Sequence, residues 1–187
     1  MARIILVSWS QVTTTSASSV GPDSQWKEFI LGLLDAGEVL LDDISVIEAP
    51  SGTNTELIST NDFENSVGDW RIIGNHRHSE VITDPTDGSN KVLRLLASGA
   101  TEHMHNHAEI TLDNNQSVEN NKTYRISFRA KWIAGSRLLN TRLYFNRAAA
   151  SIALEVPGSN GTPGAPNSRL IPNAAPTFDG LSHSPVL

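Results

Sequence analysis

Histidines offer the clearest potential for chemistry in this sequence, because five of the six lie in two short clusters. The first cluster contains His76 and His78, and the second contains His103, His105 and His107. Residues two apart on an extended chain project to the same side. The second cluster could therefore present three imidazoles to one transition metal, for which histidine nitrogen is a common ligand.

The second cluster also resembles a known metal motif. His103, His105 and Glu109 match the HxHxxxE core of the cupin metal site, which belongs to another double-stranded β architecture. The glycines that flank that motif are absent from their places, and no second cupin motif follows. A cupin-like metalloprotein is therefore one interpretation. The other is a polar loop of solvated histidines between Ala97 and Ile110.

Sequence motifs of enzymatic catalysis are missing. The chain contains no GxSxG, P-loop or dinucleotide-binding fingerprint, and without cysteine a thiol nucleophile is excluded. Carboxylates are plentiful, but no pair lies in a recognisable glycosidase context, where two must flank one bond. We therefore predict that the protein is not an enzyme.

Composition limits the partners that the protein can bind. The chain has 187 residues, a formal net charge of -6 and a pI near 5.4, which give no electrostatic reason to bind nucleic acid or an anionic membrane. The absence of cysteine excludes a disulfide framework. The N-terminal run MARIILVSW is too short for a signal-peptide core or a membrane span, so any export signal would lie outside this chain.

The elements that must position the polar side chains are predicted to be strands. Residues 122–132 alternate between apolar side chains such as Phe128 and polar ones such as Arg129 and Lys131, which indicates one buried and one wet face. Residues 137–145 repeat this alternation. Their outward residues are Asn140, Arg142 and Tyr144. We expect the two strands to be neighbours, so that these five polar residues share one surface.

The rest of the chain predicts the same class of fold. Turn residues recur about every eight to twelve residues, the rhythm of a β-sandwich. Residues 25–34 also have a helical period, but Gly32 and the strand that follows Gly37 favour a strand. Simple alternation over residues 38–48 places Asp42, Ile44 and Val46 on one face. These patterns predict an all-β sandwich.

Two short motifs carry a family resemblance. NDFE at residues 61–64 with Trp70, together with LDDISV at residues 41–46, resembles the start and the finish of galactose-binding-like jelly rolls, which include many bacterial carbohydrate-binding modules. In this chain the motif typical of the end of such a module, at residues 41–46, precedes the motif typical of its beginning, at residues 61–64. Residues 161–169 and 175–187 resemble the junction and first strand of an immunoglobulin-like domain in large secreted bacterial proteins, which often also carry lamin-tail-like domains.

The resemblance implies a function and a set of site residues. It implies a non-catalytic carbohydrate-binding module whose sugar-binding face contains Arg, Asn and aromatic residues, here Arg129, Lys131, Asn140, Arg142 and Tyr144. A loop with His76 and His78 also suits contact with a sugar. By match to the family, a structural calcium ion would be held by Asp43, Glu64 and Asp87, since hard oxygen ligands suit Ca²⁺. The alternatives are an ordinary solvated sheet face and exposed turn carboxylates.

The inverted motif order predicts the domain organisation. Residues 1–50 would be the closing strands of a preceding jelly roll, residues 51–157 a second jelly-roll module, and residues 158–187 a Gly/Pro-rich linker with the start of an immunoglobulin-like domain. An open sheet edge invites pairing with any available strand. We therefore expect residues 25–34 and 38–48 to complete the sandwich in circularly permuted order. The resemblance also implies that the protein is bacterial and extracellular or on the cell surface. A structural spacer or adhesion module without a ligand is the main alternative.

Overall fold

A computed structural model of the protein describes residues 9–17, 27–100, 106–119, 121–143 and 152–155. Its strands in chain order are β1 (Ser10–Ala17), β2 (Glu28–Leu33), β3 (Gly37–Glu48), β4 (Thr55–Glu56), β5 (Arg71–Ile73), β6 (Glu80–Asp84), β7 (Asp87–Ala97), β8 (His107–Thr111), β9 (Thr123–Gly135), β10 (Leu138–Leu143) and β11 (Ile152–Glu155). Short 3-10 helices lie at Gly74–His76 and Asp113–Asn115. No helix within these ranges is long and apolar enough to cross a membrane.

The strands form two antiparallel sheets that enclose one core. The first sheet has the order β1-β9-β3-β7-β6, with β4 also paired to β3. The second sheet has the order β11-β10-β2-β8-β5. Apolar side chains from both sheets belong to one buried cluster. The predicted all-β sandwich is therefore confirmed, while the specific jelly-roll connectivity stays a prediction.

Alternation along the strands decides which side chains enter this core. On β9 the core-facing residues are Tyr124, Ile126, Phe128, Ala130 and Trp132. On β2 they are Phe29, Leu31 and Leu33. The Phe29 ring meets Trp70 edge to face, with centroids 6.0 Å apart. The predicted core face of β9 is confirmed, since Phe128 has no exposed surface.

A β-bulge in β3 changes the faces that simple alternation predicts. Asp42 pairs with Arg129 and Ser45 pairs with Ser127, so β3 has one residue more than β9 over this stretch. Asp43 takes the extra position with φ 50°. Ile44 and Val46 consequently face the core together with Leu41, whereas Asp42 faces outward. The predicted common face of Asp42, Ile44 and Val46 is therefore wrong.

Two strands from the first quarter of the chain, β2 and β3, lie in the middle of their sheets. In the first sheet β3 lies between β9 and β7, and in the second sheet β2 lies between β10 and β8. The Val46 carbonyl accepts a hydrogen bond of 2.8 Å from the Leu57 amide. The prediction that residues 25–34 and 38–48 pack into one sandwich with the later strands is confirmed for the described residues. β1 lies at an edge, while the predicted strand at residues 3–9 lies outside the described residues except for Trp9.

Candidate functional site

The outer face of the second sheet carries a row of charged side chains in register. Arg71 of β5 is paired with Glu109 of β8, Glu109 with Ile30 of β2, and Ile30 with Arg142 of β10. We call these four residues the cross-strand row. Adjacent strands are about 4.8 Å apart, so the row extends roughly 15 Å across the sheet. It presents two guanidinium groups and a carboxylate above a buried isoleucine.

Ion pairing organises one half of this row. Arg71 Nε lies 2.7 Å from Glu109 Oε1, and Arg71 Nη1 donates to Thr111 Oγ1 at 3.0 Å. His107 Nε2 lies 2.9 Å from Glu109 Oε2. The hydrogen bond from His107 and the contact with Arg71 outweigh burial and lower the pKa of Glu109 to about 2. Glu109 is therefore a fixed anion and acceptor at neutral pH.

The other half of the row contains Arg142 and its neighbour on the same strand, Asn140. Asn140 is paired with Gly32 of β2, so it lies one row away from Arg142 on the same face. Both residues are partly exposed. Burial lowers the pKa of Arg142, against the attraction of Glu109. An arginine remains charged in such an environment, so the face offers a cationic donor and an amide beside the Glu109 carboxylate.

On the outer face of the first sheet, the end of the β6–β7 hairpin covers Lys131. Asp84 Oδ1 and Thr86 Oγ1 lie 3.2 and 2.9 Å from Lys131 Nζ, although β3 and β7 separate β6 from β9 in the sheet. Asn90 of β7 also donates to Asp42 at 3.0 Å. Lys131 and Asp84 are 1% and 3% exposed, so this ion pair is buried under the hairpin.

Hydrogen bonds keep Asp84 ionised beneath the hairpin. Burial acts to raise its pKa, but donors from Thr86, Trp9 and Lys131 outweigh burial and lower the pKa to about 2. The turn between the two strands is tight, because β6 ends at Asp84 and β7 begins at Asp87. Because its polar groups satisfy one another, this cluster stabilises the fold.

The structure separates the sugar-contacting residues that the sequence places on one surface. β9 belongs to the first sheet and β10 to the second, because the chain crosses between sheets at Ser136 and Arg137. Arg129 and Lys131 therefore lie on the opposite side of the sandwich from Asn140 and Arg142. The prediction of one shared surface is wrong, and so is the predicted exposure of Lys131. Tyr144 lies outside the described residues.

The two histidines of the first cluster have different environments. His76 has no exposed surface, and its Nε2 accepts a hydrogen bond of 2.9 Å from the Leu33 amide. Burial, with the nearby His107, lowers the pKa of His76 to about 3. His76 is therefore a neutral, structural residue of the core edge and does not contact a sugar from the surface. His78 is exposed, and its role in binding stays a prediction.

The predicted metal ligands each have protein partners. Asp43 lies 3.2 Å from Arg129, Glu64 accepts from the Lys91 amide at 3.0 Å, and Asp87 accepts from Ser89. Within the described ranges, no group of three or more His, Asp or Glu side chains is arranged to hold a metal ion. These residues do not fit a calcium site as they stand, and calcium stays a prediction that melting with and without a chelator would test.

The cupin interpretation depends on residues of the second histidine cluster. His103 and His105 lie outside the described residues. Glu109, the third member of the motif, is bonded to Arg71 and His107 instead. The described part of the motif therefore contributes to the cross-strand row, and the metal site stays a prediction.

A comparison with known protein families identifies the family of this chain. The model of a family described as "Carbohydrate binding domain" matches residues 55–148, half of the chain. The chain belongs to the carbohydrate-binding domain family. Neither the curated proteins nor the solved structures contain a match. The predicted resemblance to a carbohydrate-binding module is thereby confirmed at the level of the family.

The matched segment contains strands of both sheets of the carbohydrate-binding domain. Arg71, Glu109, Asn140 and Arg142, which are all on the outer face of the second sheet, lie inside it. Of the first sheet's outer cluster, Trp9 and Asp42 lie before it, whereas Asp84, Arg129 and Lys131 lie inside it. Because the polar cluster of the first sheet is bonded within the protein itself, we take the outer face of the second sheet as the candidate site.

Sequence reasoning missed Arg71 altogether and considered Glu109 only as a metal ligand. β5 has three residues, too few to show an alternation. Arg71 and Glu109 are also 38 residues apart, so nothing local indicates that they meet. The available signal was that Arg71 and Glu109 have opposite charges and could pair if their short strands were neighbours.

Proposed function

We propose that this carbohydrate-binding domain binds a polysaccharide, without cleaving it, along the outer face of the second sheet. The observation that carries the proposal is the in-register row of Arg71, Glu109 and Arg142 across strands of the family-matched segment. Its length of roughly 15 Å suits a chain-like ligand. Asn140 extends the face into the next row.

The chemistry of this face suits sugar hydroxyls. Charged donors and acceptors make stronger hydrogen bonds than neutral ones, and hydroxyls can both donate and accept. The salt bridge between Arg71 and Glu109 fixes both side chains before a ligand arrives, which reduces the entropy lost on binding. Binding would then need little movement of the sheet.

Replacement of Arg142 with alanine tests the proposed face. Affinity gels that contain hydroxyethylcellulose, xylan, mixed-linkage β-glucan, galactomannan or polygalacturonate first show which polysaccharide retards the wild type. Loss of a charge-assisted hydrogen bond should then weaken binding in Arg142→Ala by roughly ten- to a hundredfold. Unchanged retardation of this variant would refute the proposed face.

Arg125→Ala is the matched control. Arg125 lies on β9, paired with Thr15 and Ile47, on the outer face of the first sheet, and is partly exposed like Arg142. The same change there should leave retardation as in the wild type. If none of the five polysaccharides retards the wild type, the alternative of a spacer module without a ligand is favoured.

We propose further that the domain works as one module of a larger extracellular bacterial protein. The support comes from the resemblance of residues 161–169 and 175–187 to the start of an immunoglobulin-like domain. Both stretches lie outside the described residues. The reading frame that encodes the parent protein tests this proposal, because it must contain an export signal and neighbouring domains.

A further inference from the structure

Trp9 is distinguished from the other aromatic residues of the described part by its exposure. Phe29, Phe63, Trp70, Tyr124, Phe128 and Trp132 are each at most 7% exposed. Trp9, in contrast, is partly exposed on the outer face of the first sheet. Packing in the core therefore does not explain why a tryptophan lies at this position.

The indole is held in a fixed orientation. Its Nε1 donates to Asp84 Oδ2 at 2.7 Å. The ring centroid lies 4.7 Å from Arg129 Cζ and 4.6 Å from Lys131 Nζ. These cations are two residues apart on β9 and project from the same face, so the ring packs against outward side chains of β9, and part of the Trp9 side chain remains exposed.

Polar groups surround this ring on the surface. The Arg129 side chain is 35% exposed and its partner Asp43 is 55% exposed, with 3.2 Å between their charged groups. Gln11 and Thr13 of the adjoining edge strand are also exposed. A sugar ring offers an apolar face of C–H groups and a rim of hydroxyls, which match a flat aromatic surface bordered by donors and acceptors.

From this geometry we propose that Trp9 forms a second contact site for a pyranose ring of a polysaccharide, on the opposite side of the sandwich from Arg142. Trp9 itself lies before the family-matched segment, whereas its partners Asp84, Arg129 and Lys131 lie within it. Because the indole is already fixed by Asp84 and by the cations of β9, little side-chain entropy is lost when a sugar stacks on it. With sites on both outer faces, one molecule can contact two polysaccharide chains.

Protection of Trp9 from oxidation tests this site without altering it. The Arg142→Ala variant of the full chain is treated with N-bromosuccinimide, with and without each of the five polysaccharides, and oxidised tryptophans are located by peptide mass spectrometry. At least one polysaccharide should slow the oxidation of Trp9 in this variant. Oxidation at the same rate with all five overturns the proposal, even if the wild type binds one of them through Arg142.

Two substitutions provide an independent readout. Trp9→Phe keeps a ring above Arg129 and Lys131 and should retain binding in an Arg142→Ala background, whereas Trp9→Ala should weaken it about tenfold. Circular dichroism would check that both variants are folded. Equal binding by the two variants overturns the proposal, since the ring would then contribute nothing.

Discussion

At the scale of single residues, burial and hydrogen bonding lower the pKa values of both His76 and Glu109, with opposite effects on their charge. Glu109 lies at the surface end of a chain of contacts to His107 and Arg71, and its lowered pKa keeps it an anion. His76 lies within the core edge, and its lowered pKa keeps it neutral. One group is available to a ligand, and the other supports the β2 backbone.

The lowered pKa of His76 leads to a prediction of how the free energy of unfolding depends on pH. Its pKa is 6.5 in the unfolded chain and about 3 in the folded protein, so the unfolded state binds one proton more between these values. The free energy of unfolding should therefore fall as the pH decreases from 6.5 towards 4.5, by about 1.4 kcal/mol per pH unit from this group. Urea unfolding at several pH values measures the slope.

Variants of the two neighbouring histidines isolate this effect. His76→Gln removes the titrating group while keeping an acceptor for the Leu33 amide, so the dependence between pH 6.5 and 4.5 should become flatter. His78→Gln alters an exposed histidine and should keep the wild-type slope. The carboxylates with lowered pKa values, Asp84, Asp87 and Glu109, titrate below this pH range. Equal slopes in all three proteins would contradict the assignment.

Single-residue environments could be predicted from the sequence only where they depend on local alternation. The burial of Phe128 follows from its position on β9 and is confirmed. Lys131 obeys the same alternation and faces outward, yet it is buried because a distant hairpin covers it. The ion pair of Arg71 and Glu109 likewise depends on which short strands pair, which no local pattern contains.

At the scale of elements, the β6–β7 hairpin covers part of the outer face of the first sheet. Its end contacts β9 through Asp84 and Thr86 and β3 through Asn90. The hairpin also approaches the loop before β5, where the Lys91 amide donates to Glu64 at 3.0 Å. Around Lys131, the first sheet is therefore covered by a polar cluster whose groups bond to one another.

Removal of Lys131 should release this hairpin. Lys131→Ala leaves the buried Asp84 carboxylate without its cation, a change that typically costs about 3–5 kcal/mol of unfolding free energy. Chemical denaturation measures the loss. Lys122→Ala, which breaks the ion pair of a 42% exposed lysine with Glu48, should change stability little. Equal losses for the two variants would show that the hairpin contact is not a buried ion pair in solution.

The elements themselves followed closely from the pattern, but their arrangement did not. The alternation of residues 122–132 and 137–145 predicts two strands that are both present for the residues described. Nothing in either strand indicates that the turn at Ser136 changes sheet. The bulge at Asp43 also escaped prediction, because one residue with positive φ inverts the faces of all residues after it.

At the scale of the whole molecule, the family-matched segment does not contain the centre of the sandwich. Residues 55–148 include β4 to β10, whereas the central strands β2 and β3 precede them. Without these two strands, β10 and β8 lose their shared neighbour, as do β9 and β7. Both sheets would then have open inner edges.

A chain that lacks residues 1–54 should therefore fail to fold. Circular dichroism and amide proton dispersion should show a disordered or aggregated protein, because strands on both sides of each gap lose their hydrogen-bond partners. A chain that lacks only residues 1–17 loses the edge strand β1 and should fold with reduced stability. A cooperative unfolding transition in the shorter chain would contradict the central position of β2 and β3.

The central claim is that the carbohydrate-binding domain binds its polysaccharide on the outer face of the second sheet. Backbone amide shifts of the Trp9→Ala variant, titrated with a hexasaccharide of the polysaccharide that retards the wild type, test it most directly. The largest shifts should occur at Arg71, Glu109, Asn140 and Arg142. Shifts confined to β1, β9 and the end of the β6–β7 hairpin would contradict the claim.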